Sequence, residues 1–379
     1  MLIHKRILRS FALVCSVTVL LSSCGKSDSS SESKPKVYDE CEKAQAAVDK
    51  FGAGWNLGNT LDSTGGDRED IWGCETSWGN PYTTKEMITT VKDAGFNAIR
   101  VPVTWENHIE DDGTIDKEWL DRVQEVVDYV VSQDLYCIIN VHHDGGENGW
   151  VCASNESYEK YGDRYAKIWE QVADRFEDYD EKLIFESINE ILDKQNNWNG
   201  GMRGEAVEAL SKYTQRFVDT VRAGEGYNKT RNLVIMTYAG AYGRIKQLEL
   251  PKDSAEGHLI IEVHDYDPQG FCWKNATWTN MTEEWGSDED KQAIDNSMKQ
   301  MAADAKEKGL PLIIGEYGSQ DKNGNEDARA AHAGYFTKAA KENGIKCFWW
   351  DCEAFAIIDR DGLSQKCPKI VSAIIEAAK

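Results

Sequence analysis

The chain of 379 residues is short of positive charge: 43 Lys and Arg stand against 65 Asp and Glu, a formal net charge of −22 at pH 7. Such a balance argues against nucleic acid or an anionic membrane surface as partner, and suits an exported protein acting on a neutral substrate. The apolar run near the N-terminus, from about Phe11 to Leu21, is too short to cross a bilayer as a helix. Preceded by Lys5, Arg6 and Arg9, it reads as a secretory signal. No CxxC pair occurs, so a thiolate zinc site is not expected. No GxGxxG follows the first strand pattern, which counts against an open dinucleotide-binding sheet. No second globular module is evident, so an appended carbohydrate-binding domain is not expected.

What is present begins with Leu21-Ser22-Ser23-Cys24-Gly25, which resembles the lipobox of bacterial lipoproteins. That resemblance implies cleavage after residue 23, lipidation of Cys24 and a place in the cell envelope, facing the periplasm or on the surface. Ordinary cleavage near Ser23 is the alternative. Residues 24–36, Ser-rich and without apolar anchors, read as a flexible tether. Residues 37–379 suffice for one catalytic domain of barrel size, expected to be a monomer. Eight cysteines remain beyond Cys15 and Cys24, an even number that permits disulfides without revealing a pairing. Cys137 and Cys347 lie inside apolar runs and read as buried small hydrophobes.

Eight near-continuous apolar runs read as strands buried on both faces: 54–59, 98–105, 136–143, 183–190, 232–240, 258–266, 311–319 and 345–353. Helical patterns separate them. Thr83 with Glu86 suggests a capping box for a helix closed near Gly95. Leu120, Val123, Val127 and Val130 share one helical face, as do Ile294, Met298, Met301 and Ala305 between Ser287 and Gly309. The alternation predicts a (β/α)8 barrel, with an open doubly wound sheet as the alternative.

Glu190 ends the fourth run and Glu316 the seventh, which places two carboxylates at the C-terminal mouth of such a barrel. Opposed carboxylates at one mouth are what cleavage of a glycosidic bond requires. Arg100 sits inside an apolar strand, where an unpaired cation is costly, so it should pair with a carboxylate, Glu316 being the natural partner. His142 and His143 end the third run and point opposite ways; His264 and Tyr266 end the sixth and share a face. Trp72, Trp78, Trp150, Trp273, Trp278 and Trp285 follow strands one, three and six. Exposed ones would stack on sugar rings, and the others would pack loops.

With GWNLGNTLD, ETSWGNP, IRVPVTW, INVHH, SINE, VHDYDP, IIGEYG and FWWD in order from about Phe51 to Arg360, the chain resembles glycoside hydrolase family 5, in its endo-β-1,4-glucanase branch. The resemblance implies a retaining hydrolase of β-glucan polysaccharide that needs no metal or organic cofactor. It places the acid/base on Glu190 and the nucleophile on Glu316. Supporting positions fall on Arg100, on Asn189 at the sugar 2-hydroxyl, on His142, and on the pair His264 and Tyr266. The tryptophan under the reacting sugar falls on Trp350, with Trp349 left open. The chain departs from the branch at Asp351-Cys352 and at Gln269 and Cys272, positions expected to touch substrate subsites. Xyloglucan, xylan and mannan are alternative substrates. A metal-dependent hydrolase and a non-catalytic glycan-binding lipoprotein are the rival classes.

Overall fold

The computed structural model describes residues 36–147 and 149–379. The signal segment, Cys24 and the tether up to residue 35 lie outside the described residues. The chain divides after Val37, and the unit Tyr38–Lys379 carries the fold.

Eight strands close into a barrel in sequence order, each parallel to both neighbours. They are β1 (Ala53–Leu57), β2 (Phe96–Val101), β3 (Tyr136–Asn140), β4 (Leu183–Glu186), β5 (Leu233–Ala241), β6 (Leu259–His264), β7 (Leu312–Tyr317) and β8 (Lys346–Asp351). β8 pairs back onto β1, Trp55 opposite Trp349, which closes the sheet and removes its edges. All eight predicted strands are present, several shorter than their apolar runs. α-Helices follow seven of them, and a 3-10 helix, Tyr242–Gln247, follows β5.

Two helix starts show how local chemistry sets the boundaries. Ser287 caps the helix Asp288–Lys308 with a full capping box through Asp290, and left-handed Gly309 ends it. At the earlier helix, Lys85–Asp93, the cap is Thr84, one residue beyond the expected Thr83. The backbone N–H of Thr83 is already taken by buried Glu75, and its carbonyl accepts from Arg122.

The barrel interior is layered. At the N-terminal end Ala98, Ile138, Ile184 and Ile260 pack with Phe51 and the helix Ala44–Lys50, closing the bottom with aliphatic and aromatic side chains. Two residues further along the same strands, hence on the same face, stand Arg100, Asn140, Glu186 and Glu262, all fully buried. One step along the barrel axis therefore changes the filling from hydrocarbon to charge. The eight cysteines, all free thiols, form no disulfide among the described residues; Cys137 and Cys347 are buried in their strands.

Candidate active site

Arg100 organises the mouth. Its five N–H donors are all committed: Nε and Nη2 grip both oxygens of Glu186 at 2.6 and 2.7 Å. Nη1 reaches Asn56 at 3.1 Å and Glu316 at 2.8 Å, and Nη2 also reaches Asn189 at 2.8 Å. Glu316 is thus a partner, as expected, but the bidentate grip belongs to Glu186. Burial disfavours the guanidinium charge, and Glu186, Glu262 and Glu316 together outweigh it, holding Arg100 well above its ordinary pKa. Burial likewise opposes ionisation of Glu186, and Arg100 reverses this, holding the carboxyl below its usual range.

Glu316 lies within β7, its Oε2 accepting from the Tyr266 hydroxyl at 2.9 Å. Glu190 does not end a strand. β4 stops at Glu186, and Glu190 lies four residues on with φ of +31°, a conformation unusual outside glycine. The intervening loop is tied to its neighbours through Ser187 N–H to Val234 O and Asn189 N–H to Val141 O. This turn brings Glu190 Oε1 to 2.6 Å from His264 Nδ1, which is also 3.5 Å from Glu316 Oε2. An oxygen of each glutamate lies within 4.8 Å of the other. That is the close spacing of double-displacement glycosidases, well short of the roughly 6.5–9.5 Å that admits a water in inverting ones. Burial opposes protonation of His264, and Glu316 and Glu190 overcome it, raising the imidazole to about 10.

His142 lies two residues past β3, buried, its ring parallel to Trp350 with centroids 5.8 Å apart. Asn140 accepts from Val103 N–H through Oδ1, so its amide nitrogen faces both Glu186 and His142 Nδ1. Nδ1 must then be the acceptor and Nε2 carries the proton. Burial, then His143 and Arg100, keep the His142 ring neutral. His143 turns the other way, 3.5 Å from Asp62 and against Trp78. Trp350 is the tryptophan beside the site; Trp349 is in the core, donating to Phe355 O.

The other tryptophans divide. Trp72 and Trp278 are exposed, Trp273 packs beside Tyr266, and Trp150 and Trp285 pack inward. Trp198, on the loop after β4, is a further exposed ring that the sequence reading missed. Two expected subsite contacts are corrected. Cys272 is buried against His332, and Asp351 is buried, accepting from Ile357 and Ile358 N–H. Both side chains are fully buried among protein partners, whereas Cys352 accepts from the Trp350 indole. Glu186, Glu262 and Asn140 were also missed. Carboxylates inside apolar strands were the available signal, since each needs a buried cation.

A closed parallel barrel with two close glutamates at its C-terminal mouth is the architecture of a glycoside hydrolase. The profile of Cellulase (glycosyl hydrolase family 5) matches residues 61–356, and the chain belongs to that family. It is 38% identical over 343 residues to the cellulase/esterase CelE of Acetivibrio thermocellus, covering 87% of this chain but only 40% of that protein. It is 38% identical over 351 residues to endoglucanase A of Ruminococcus albus, covering 89% and 93%. Among solved structures, a family 5 lichenase from Caldicellulosiruptor sp. in complex with cellotetraose superposes with TM-score 0.83 at 38% identity, covering 91% and 99%. A Prevotella bryantii family 5 enzyme in complex with a xyloglucan tetradecasaccharide superposes with TM-score 0.83 at 36% identity, covering 90% and 100%.

Proposed function

We propose that the chain is a retaining endo-β-1,4-glucanase acting on soluble, mixed-linkage or xyloglucan-type β-glucans. The observation that carries this is the pair Glu190 and Glu316, close together and bridged by His264. Glu316, facing Arg100 and Tyr266, attacks the anomeric carbon as carboxylate and forms a glycosyl-enzyme. Glu190, on the opposite side of the bond, protonates the departing oxygen and then takes a proton from the attacking water. The covalent intermediate removes the charge of Glu316 between the two steps, which suits Glu190 to both tasks. Asn189, oriented by Arg100 through Oδ1, presents its amide N–H to the sugar 2-hydroxyl. Trp350 and His142 form the floor under the reacting ring. The solved relatives bound to cellotetraose and to xyloglucan support an unbranched or branched β-1,4-glucan as substrate. Reducing-sugar release across carboxymethylcellulose, mixed-linkage glucan, xyloglucan, xylan and mannan tests this, with product anomers followed by NMR. Release from the glucans with retained β-configuration is expected; activity confined to xylan or mannan, or inverted product, overturns it.

We further propose an exported lipoprotein with Cys24 as its lipidated N-terminus, supported by the lipobox-like sequence and the polar tether. Cys24→Ala should move the protein from the membrane fraction to the soluble one. Unchanged fractionation would sink the anchor and leave the enzyme reading intact.

A further inference from the structure

Glu262 has no part in the two-carboxylate chemistry, yet it is buried directly beneath it. Neither of its oxygens has a hydrogen-bond partner among the described residues. Its Oε1 lies 3.2 Å from Arg100 Nε, but that N–H is directed to Glu186, and the other four Arg100 donors are spent. The other cationic nitrogen beside it is His264 Nε2, at 3.4 Å. His264 lies two residues along β6, on the same face. Glycine on β7 makes room for this carboxyl: a Cβ on Gly315 would sit 1.5 Å from Glu262 Oε1. A line of acidic and basic atoms results, Glu262 Oε1 to His264 Nε2, then His264 Nδ1 to Glu190 Oε1.

We propose that Glu262 is a positioning residue for the acid/base step, governing through His264 where the proton of Glu190 resides. The inference rests on the assignment of Glu190 above. Two arrangements hold the same number of protons. In one, Glu190 is a carboxylic acid whose O–H donates to neutral Nδ1, while Nε2–H faces Glu262. In the other, the proton has crossed to Nδ1, leaving an imidazolium between two carboxylates. Leaving-group departure uses the first: the Glu190 O–H bond breaks, the glycosidic C–O electrons pass to the departing oxygen, and that oxygen takes the proton. Attack of water on the glycosyl-enzyme returns a proton to Glu190. A negative Glu262 beside Nε2 favours retention of the shared proton to higher pH; a neutral one releases it earlier. Glu262 faces Arg100 from β2, Glu186 from β4 and His264 on its own strand, while His264 also faces Glu190, Glu316 and His142. Burial first, then the charge of Glu186, raises Glu262 to about 7, so its charge changes within a working pH range.

Glu262→Gln keeps the shape and deletes the charge. On aryl cellobiosides, kcat/KM for a dinitrophenyl leaving group, which departs without a proton, should stay at the wild-type value. For a poor phenolic leaving group the alkaline limb should lie about one pH unit lower, so that kcat/KM falls about tenfold above the wild-type limb and is unchanged on the acid side of it. Glu262→Asp, which restores the charge, should return the limb toward wild type. Equal losses on both leaving groups, or an unmoved limb, overturn the proposal in favour of a packing role. The nitrogen-15 titration of the His264 ring reads the same coupling without substrate: its midpoint should fall in Glu262→Gln, and an unchanged midpoint overturns the relay. Were the wild type inactive on every aryl cellobioside, the assigned function would fail while the ring titration still decided this one.

Discussion

Glu316→Gln should lower β-glucan hydrolysis by about 10⁴-fold or more, a barrier increase of about 5 kcal/mol, while leaving the protein folded. The reason lies in what each oxygen of Glu316 does. Oε1 accepts from Arg100 and Oε2 from Tyr266, so a carboxamide can keep its oxygen toward Arg100. Tyr266 can then rotate its hydroxyl to accept from the new N–H. Geometry survives, but the neutral amide cannot form the glycosyl-enzyme. Melting temperature within a few degrees of wild type, with hydrolysis at background, is the expected pair of results. Residual activity above about one part in a hundred would remove Glu316 from the nucleophile's role. It would also return a glycan-binding function to consideration.

Arg100→Met should be the most destabilising single change at the site, by about 3–5 kcal/mol near neutral pH. Methionine fills most of the volume, but Glu186, Glu262 and Glu316 then share the barrel interior without the guanidinium. The pH dependence has a defined sign. In the wild type Arg100 holds Glu186 below its ordinary value, so that stabilisation is present above the usual carboxylate range. It is lost only as pH falls through the depressed folded value. In the variant the same carboxyl is buried without a cation, and the cost of ionising it grows as pH rises above about 4. The gap in melting temperature should therefore be widest near pH 7–8 and narrow toward about pH 4. A gap of constant size across that range would show that lost packing, and not unpaired charge, sets the cost. Activity should vanish at every pH, because Glu316 and Asn189 both lose the donor that orients them.

Much of this was legible before any coordinates. Near-continuous apolar runs separated by amphipathic helices specify buried parallel strands, and eight of them in order close a barrel. Arg100 was recognisable because a cation in an apolar strand must find an anion. The eight motifs in order gave the family, and with it Glu190 and Glu316. Strand ends were read too long at β3 and β4 because hydrophobicity persists past the last ladder bond. Residues 141–143 and 187–190 are apolar or buried in part yet leave the sheet. Thr83 failed as a cap because Glu75 and Arg122, distant in sequence, claim its backbone first.

The sequence by itself determined the barrel, the location of the chemistry at the strand C-termini, and the two carboxylates, because these follow from period, burial and residue type along one strand at a time. Only the tertiary structure decided who pairs with whom. Glu186 rather than Glu316 takes the bidentate grip of Arg100, Trp350 rather than Trp349 lies beside the site, and a positive φ turns Glu190 toward His264. Each depends on distances between strands that are far apart in the chain, and on how five donors are shared among acceptors that converge only when the sheet closes.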